Sequence, residues 1–106
     1  MSAIDIINDN YTVKNNSFLY YLLNKGLFNR ETFRQLYDSV SEITEQDVAI
    51  SEVALKLYTI HTKILEAFLY HFNASDPYKI SNLPENYNKI LQQLEKCILF
   101  YFKTRI

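Results

Sequence analysis

A chain of 106 residues buries roughly 65% of its unfolded surface, so residues 1–106 can form one domain without disulfides or metal ions to support it. The net charge of −1 excludes the strongly basic surface typical of nucleic-acid-binding domains, and the only cysteine, Cys97, excludes an internal disulfide. A single cysteine also favours a reducing compartment, so we expect a cytoplasmic protein. The longest apolar run, residues 97–102, is too short to cross a membrane, and the N-terminus lacks the basic start of a signal peptide.

Two short helices are predicted at the N-terminus. Ser2, with Asp5 three residues later, has the pattern of a capping box and predicts a first helical turn. Ser17 is a favourable N-cap for a second short helix, which ends at Lys25 because Gly26 is a typical helix stop. One glycine and two prolines in the whole chain then predict longer, uninterrupted helices.

A third helix is predicted to begin after Asn29, a favourable N-cap residue. Its apolar residues have the i, i+3, i+4, i+7 spacing of one buried helix face. They are Phe33, Leu36, Tyr37, Val40 and Ile43.

The fourth predicted helix spans about residues 47–73, which include neither Gly nor Pro. One apolar stripe follows its length: Ile50, Val53, Leu57, Ile60, Ile64 and Phe68. A second stripe lies beside it: Ala54, Tyr58, His61, Leu65 and Phe72. Two adjacent stripes predict a central helix that several neighbours bury.

The last helix is predicted after a loop at residues 73–83, with Pro84 in its first turn. Its apolar face comprises Tyr87, Ile90, Leu91, Leu94, Ile98 and Phe102. The pattern therefore predicts an all-α, single-domain antiparallel bundle of three long helices with one or two short N-terminal helices.

No residue pattern predicts catalysis, a cofactor or a metal site, so we expect a protein that is not an enzyme. A single glycine excludes the common phosphate-binding loops. His61 and His71 lie ten residues apart, about 80° from a common helix face, and each is interpreted as a hydrogen-bonded structural residue. Cys97 is interpreted as a small apolar residue. The chain also lacks the Arg-then-His motif of the helical HEPN ribonucleases, because no His follows an Arg within six residues.

An acidic edge is the main functional lead in the sequence. Between residues 38 and 55 there are five carboxylates and neither Lys nor Arg: Asp38, Glu42, Glu45, Asp47 and Glu52. The first three recur at i, i+4, i+7 and therefore share one edge of the third helix. Such an edge suits a basic partner, or is simply a solvated helix face. Tyr70, on the polar side of the fourth helix, is a further candidate contact because tyrosine is enriched at protein interfaces.

A family resemblance is carried by residues at helix boundaries and in helix cores from Phe18 onward. They are the runs FLYYL at 18–22, GLFNRE at 26–31, LY at 36–37, NLPENY at 82–87 and YFK at 101–103, with Leu94. In these residues the chain resembles the small helical immunity proteins of bacterial contact-dependent growth inhibition systems. The resemblance implies a cytoplasmic inhibitor that forms a one-to-one complex with a toxin domain, often a nuclease, and blocks its active site or substrate access.

Two other functions remain open from the sequence. One is a non-catalytic partner subunit of a nucleotidyltransferase-type enzyme, and the other is a phage or plasmid anti-defence protein. Both would bind protein rather than nucleic acid or membrane. A homodimer is also open, because an apolar stripe on a small bundle can close a core or a dimer equally well.

Overall fold

The computed structural model describes residues 1–105, and helices make up 71% of the chain. In chain order they are α1 (Ala3–Tyr11), α2 (Phe18–Lys25), α3 (Arg30–Glu45), α4 (Ile50–Phe72) and α5 (Tyr87–Arg105). The all-α prediction is confirmed, with two short helices before three long ones. The up-and-down order of the long helices stays a prediction.

The predicted N-caps are present at the first three helices. Ser2 and Asp5 form the reciprocal capping box at the start of α1. The Ser17 hydroxyl accepts a hydrogen bond from the Tyr20 amide at 3.2 Å, and the Asn29 side chain accepts one from the Thr32 amide at 2.9 Å. Each cap pairs an amide that the first turn of a helix leaves without an intrahelical partner.

The turn between α3 and α4 ends later than the sequence predicts. Asp47 adopts a left-handed φ of 57°, and the Val48 amide donates to the Ile43 carbonyl at 3.2 Å, which is the bond of a Schellman motif. α4 therefore begins at Ile50 rather than near residue 47. The sequence has no glycine at this turn, so the end of α3 could not be placed from it, although Asp tolerates the left-handed region better than most residues.

Pro84 lies one turn before α5, where its carbonyl accepts a hydrogen bond from the Tyr87 amide at 3.1 Å.

The core is built around the first stripe of α4. From Val53 to Phe68 the stripe residues are buried, as predicted, and Ile50 is half-buried. α1 packs against α3 and α4, α2 packs against α4, and α5 packs mainly against α3. The largest fully buried side chains are Tyr101, Phe18, Phe28, Ile7, Leu19, Leu22, Leu36, Ile43, Leu57, Ile60, Ile64 and Leu94.

The prediction that neighbouring helices bury the second stripe of α4 is wrong. Tyr58, Leu65 and Phe72 remain 67%, 42% and 55% exposed. The reason is the position of α5, which makes its main contact with α3 and only a light contact with α4. One long side of α4 therefore has no helix packed against it within residues 1–105.

Side-chain hydrogen bonds attach the segment between α4 and α5 to the rest of the fold. The Asn82 side chain accepts from the Phe28 amide at 2.7 Å and donates to the Phe28 carbonyl at 3.0 Å. Nδ1 of His71 accepts from the Ile80 amide at 2.8 Å, which confirms the interpretation of His71 as a hydrogen-bonded structural residue. The Asn82 bonds hold the loop against the turn between α2 and α3, and the His71 bond holds it against the end of α4.

We expect Gly26→Ala to lower the free energy of unfolding by about 1 to 3 kcal/mol, because it places a side chain in a strained backbone region. Gly26 has a φ of 61°, and a Cβ atom there would lie 2.6 Å from the backbone oxygen of Lys79. Chemical denaturation followed by circular dichroism measures the change. An unchanged midpoint would show that the α2–α3 turn is not tied to the later loop in this way.

Candidate protein-binding surfaces

The acidic edge lies on the exposed side of the α3–α4 corner. Asp38, Glu42 and Glu45 are exposed on α3, Asp47 is exposed in the turn, and Glu52 is exposed in the first turn of α4. The five carboxylates predicted from the sequence are thus all open to solvent along consecutive elements.

Two of these carboxylates have a basic neighbour that lies outside residues 38–55. The Arg105 guanidinium lies 3.7 Å from the Asp47 carboxylate, and Arg34 lies 4.0 Å from Asp38 one helical turn away. The Arg34 pair is largely exposed and contributes little to stability. Glu42, Glu45 and Glu52 have no ion-pair partner among the described residues, so the net charge of the edge stays negative.

Arg105 fixes the shape of the corner that carries the acidic edge. Its guanidinium donates to the carbonyls of Ile43, Thr44 and Val48 at 2.9, 2.8 and 2.9 Å. Its side chain is only 9% exposed. The last carbonyls of a helix lack intrahelical donors, so Arg105 caps α3 from the far end of the chain.

Tyr101 contacts the same corner from the buried side. Its buried ring lies 4.6 Å from the Arg105 guanidinium, and its hydroxyl donates to the Val48 carbonyl at 2.7 Å. Burial raises the pKa of Tyr101, while Arg105 acts to lower it and Glu52 and Asp47 act to raise it. The phenol is therefore protonated near neutral pH, as its role as a donor requires.

Tyr70 does not join the acidic edge. It is exposed on α4, but it lies 18 residues after Glu52, about 27 Å along the helix axis. The six candidate contact residues therefore occupy two separate places on the molecule.

An exposed apolar surface lies on α4 that the sequence analysis did not predict. Its exposed apolar members are Leu55, Tyr58, Leu65, Leu69 and Phe72, with Leu99 of α5 beside them. Two grooves run along the junction of α4 with α5, one of about 320 Å³ beside Tyr58 and Leu99 and one of about 610 Å³ beside Leu69 and Phe72. Tyr58, Leu65 and Phe72 belong to the second stripe that was predicted to be buried, whereas Leu55 and Leu69 belong to neither predicted stripe.

The remaining candidate chemistry forms no evident site. Cys97 is half-buried, with its Sγ atom 3.2 Å from the Ser41 hydroxyl. His61 lies 3.8 Å from the Glu95 carboxylate. Within residues 1–105 no group of three or more His, Cys, Asp or Glu side chains is arranged to hold a metal ion. A further cleft of about 420 Å³ between α3 and α5 has mixed lining, with Arg34, Asp38 and Tyr37 on its α3 side.

Comparisons of the chain with protein-family models, curated proteins and solved structures give no match. None of the helices in residues 1–105 combines the length and apolar character needed to span a bilayer.

Proposed function

We propose that this protein binds and neutralises a cognate bacterial toxin domain, a nuclease with a basic substrate-binding surface, by covering its active site or substrate access in the cytoplasm. The observation that carries the proposal is the acidic edge: five exposed carboxylates follow one another across the α3–α4 corner, and three of them have no basic partner within residues 1–105.

The rigidity of the corner supports a binding role for these charges. Arg105 and Tyr101 hold the backbone of residues 43–48 through four hydrogen bonds, so the carboxylates around it are displayed on a fixed frame. A preorganised surface loses less conformational entropy on binding than a flexible one. Complementary charge then accelerates association and suppresses wrong partners, which suits an inhibitor of a lethal enzyme.

The family resemblance supports the same class of partner. A short helical chain without a catalytic motif is compatible with an immunity protein that forms a complex with one toxin domain per inhibitor chain. The alternatives differ in partner alone: a nucleotidyltransferase subunit in one case and a host defence component in the other. Gene neighbourhood separates them, because an immunity gene lies directly downstream of its toxin gene.

We expect the double reversal Glu42→Lys with Glu45→Lys to slow association with the toxin domain encoded directly upstream by about tenfold or more at low salt. The two side chains form no ion pair among the described residues, so their reversal disturbs no ion pair within the fold. Stopped-flow or surface-plasmon kinetics over a salt series measures the rate. The difference should shrink as salt rises, because the screening length falls to about 10 Å at 0.1 M.

The matched control is Glu85→Lys with Asn86→Lys and Gln92→Lys, which makes the same change in net charge at exposed positions away from the acidic edge, none of them in an ion pair among the described residues. We expect this control to change the association rate far less. Equal effects of the test and control variants would mean that the edge acts only through net charge. An unchanged rate in Glu42→Lys with Glu45→Lys would show that the edge is not part of the interface.

A further inference from the structure

Five exposed apolar residues of α4, with half-buried Thr62 between them, follow a heptad spacing, and exposed Tyr70 lies outside it. Leu55, Tyr58, Thr62, Leu65, Leu69 and Phe72 are separated by three, four, three, four and three residues, and we call this set the α4 stripe. Five of the six members are large apolar residues that remain exposed. A 3-4 repeat is the pattern that packs one helix along another, whereas a single globular core favours a broader face.

We propose that the α4 stripe is the interface of a homodimer, in which α4 packs antiparallel against α4 of a second copy. The spacing is symmetric about the point between residues 63 and 64. In an antiparallel pair Leu55 therefore meets Phe72 of the copy, Tyr58 meets Leu69, and Thr62 meets Leu65. Every member of the stripe thus finds a partner within the same stripe, as a two-fold interface requires.

The charges beside the stripe fit the same arrangement. Half-buried Lys63 and exposed Glu66 lie beside it, and neither forms an ion pair among the described residues. The two-fold axis would bring Lys63 of each chain to the level of Glu66 of the other, within about two residues along the helix. Two opposite-charge pairs therefore border the interface, and they favour the antiparallel copy over other helices.

The exposed apolar area is of the size that a dimer needs. The stripe and Leu99 together expose on the order of 600 Å², against the roughly 800 Å² that each partner contributes to a standard interface. The flanking polar residues make up the difference. The grooves on the α5 side lie beside both ends of the stripe. In the antiparallel register, Tyr58 of the copy would lie beside the groove that Leu69 and Phe72 line.

The first test is the mass of the purified full chain by sedimentation velocity over a dilution series. We expect a dimer, and we expect Leu69→Glu to raise the dimer dissociation constant more than about 100-fold, because it buries an unpaired charge in the interface. Leu69 is 70% exposed, so the substitution leaves the core intact. Helical content by circular dichroism checks that the variant is folded.

The matched control is Phe100→Glu. Phe100 is 60% exposed on α5 and lies outside the α4 stripe, so the variant should remain a dimer. A monomeric wild-type chain at every concentration, or a dimer that Phe100→Glu dissociates and Leu69→Glu does not, would overturn the proposal.

Two further variants test the antiparallel register. In a Cys97→Ser background, oxidation should cross-link Leu55→Cys with Phe72→Cys as a double variant, while either cysteine alone should stay uncross-linked. Glu66→Lys should weaken the dimer about tenfold, and adding Lys63→Glu should restore it. Cross-linking by the single cysteine variants, or no recovery on the charge swap, would contradict this register. These tests use no toxin, so a negative result would rule out the dimer without contradicting the proposed function, which is tested separately.

Discussion

Truncation of Leu57 to alanine is expected to lower the free energy of unfolding by about 2 to 5 kcal/mol, because it leaves a cavity in the centre of the core. Leu57 is 0% exposed and lies on the buried stripe of α4, the helix against which α1 and α2 pack. Urea denaturation followed by circular dichroism measures the loss. The large expected cost follows from the close packing of protein interiors, which limits how far neighbours can fill the space.

The control is Leu55→Ala, two residues earlier on the same helix. Leu55 is 66% exposed, so the same truncation there should change the free energy of unfolding by less than about 0.5 kcal/mol. Both variants are best made in the Leu69→Glu background, where dimer dissociation no longer contributes to the measured stability. Equal losses at Leu57 and Leu55 would mean that the buried and exposed faces of α4 are misassigned.

Replacement of Arg105 by alanine is expected to cost about 2 to 4 kcal/mol, an unusually large effect for a residue near a chain end. The substitution removes three hydrogen bonds to the carbonyls of Ile43, Thr44 and Val48, and these carbonyls then lack the charged donor that caps α3. Thermal unfolding gives the stability, and hydrogen exchange at residues 44–48 gives its location. We expect faster exchange there and little change in α1.

Arg34→Ala is the matched control for Arg105→Ala. Arg34 pairs with Asp38 at 4.0 Å in a largely exposed position, so its loss should cost less than about 0.5 kcal/mol. Arg105→Lys should recover only part of the stability, because a lysine cannot present the planar fork of donors that reaches several carbonyls at once. If Arg105→Ala unfolds no more easily than Arg34→Ala, the cap does not hold the corner.

Local signals in the sequence were sufficient for most of the fold. Ser2, Ser17 and Asn29 are caps whose partners lie three residues away, and Gly26 is a stop whose left-handed φ needs no distant partner. The buried stripe of α4 was predicted because its spacing matches one face of a helix. Such features depend on neighbours in sequence, so they can be inferred without knowledge of the tertiary structure.

The features that the sequence did not reveal depend on distant partners. Arg105 reaches carbonyls about sixty residues away, and Asp47 marks the turn by its backbone conformation rather than by residue type. The exposed side of α4 reflects the packing of α5 onto α3, which no pattern within α4 encodes. In the candidate site, exposure of the five carboxylates was predictable, and so was the neighbour of Asp38, because Arg34 lies four residues earlier on the same helix. The neighbour of Asp47, Arg105, was found only in the structure.

The most direct test of the central claim is co-expression of this chain with the toxin domain encoded directly upstream, followed by purification of the complex. We expect the cells to survive, the two chains to co-purify in equal amounts, and the purified toxin to lose its activity when this protein is added. Survival should fail for the variant with Glu42→Lys and Glu45→Lys at limiting expression. Absence of both complex and protection, or purification with a nucleotidyltransferase or defence component instead, would contradict the account.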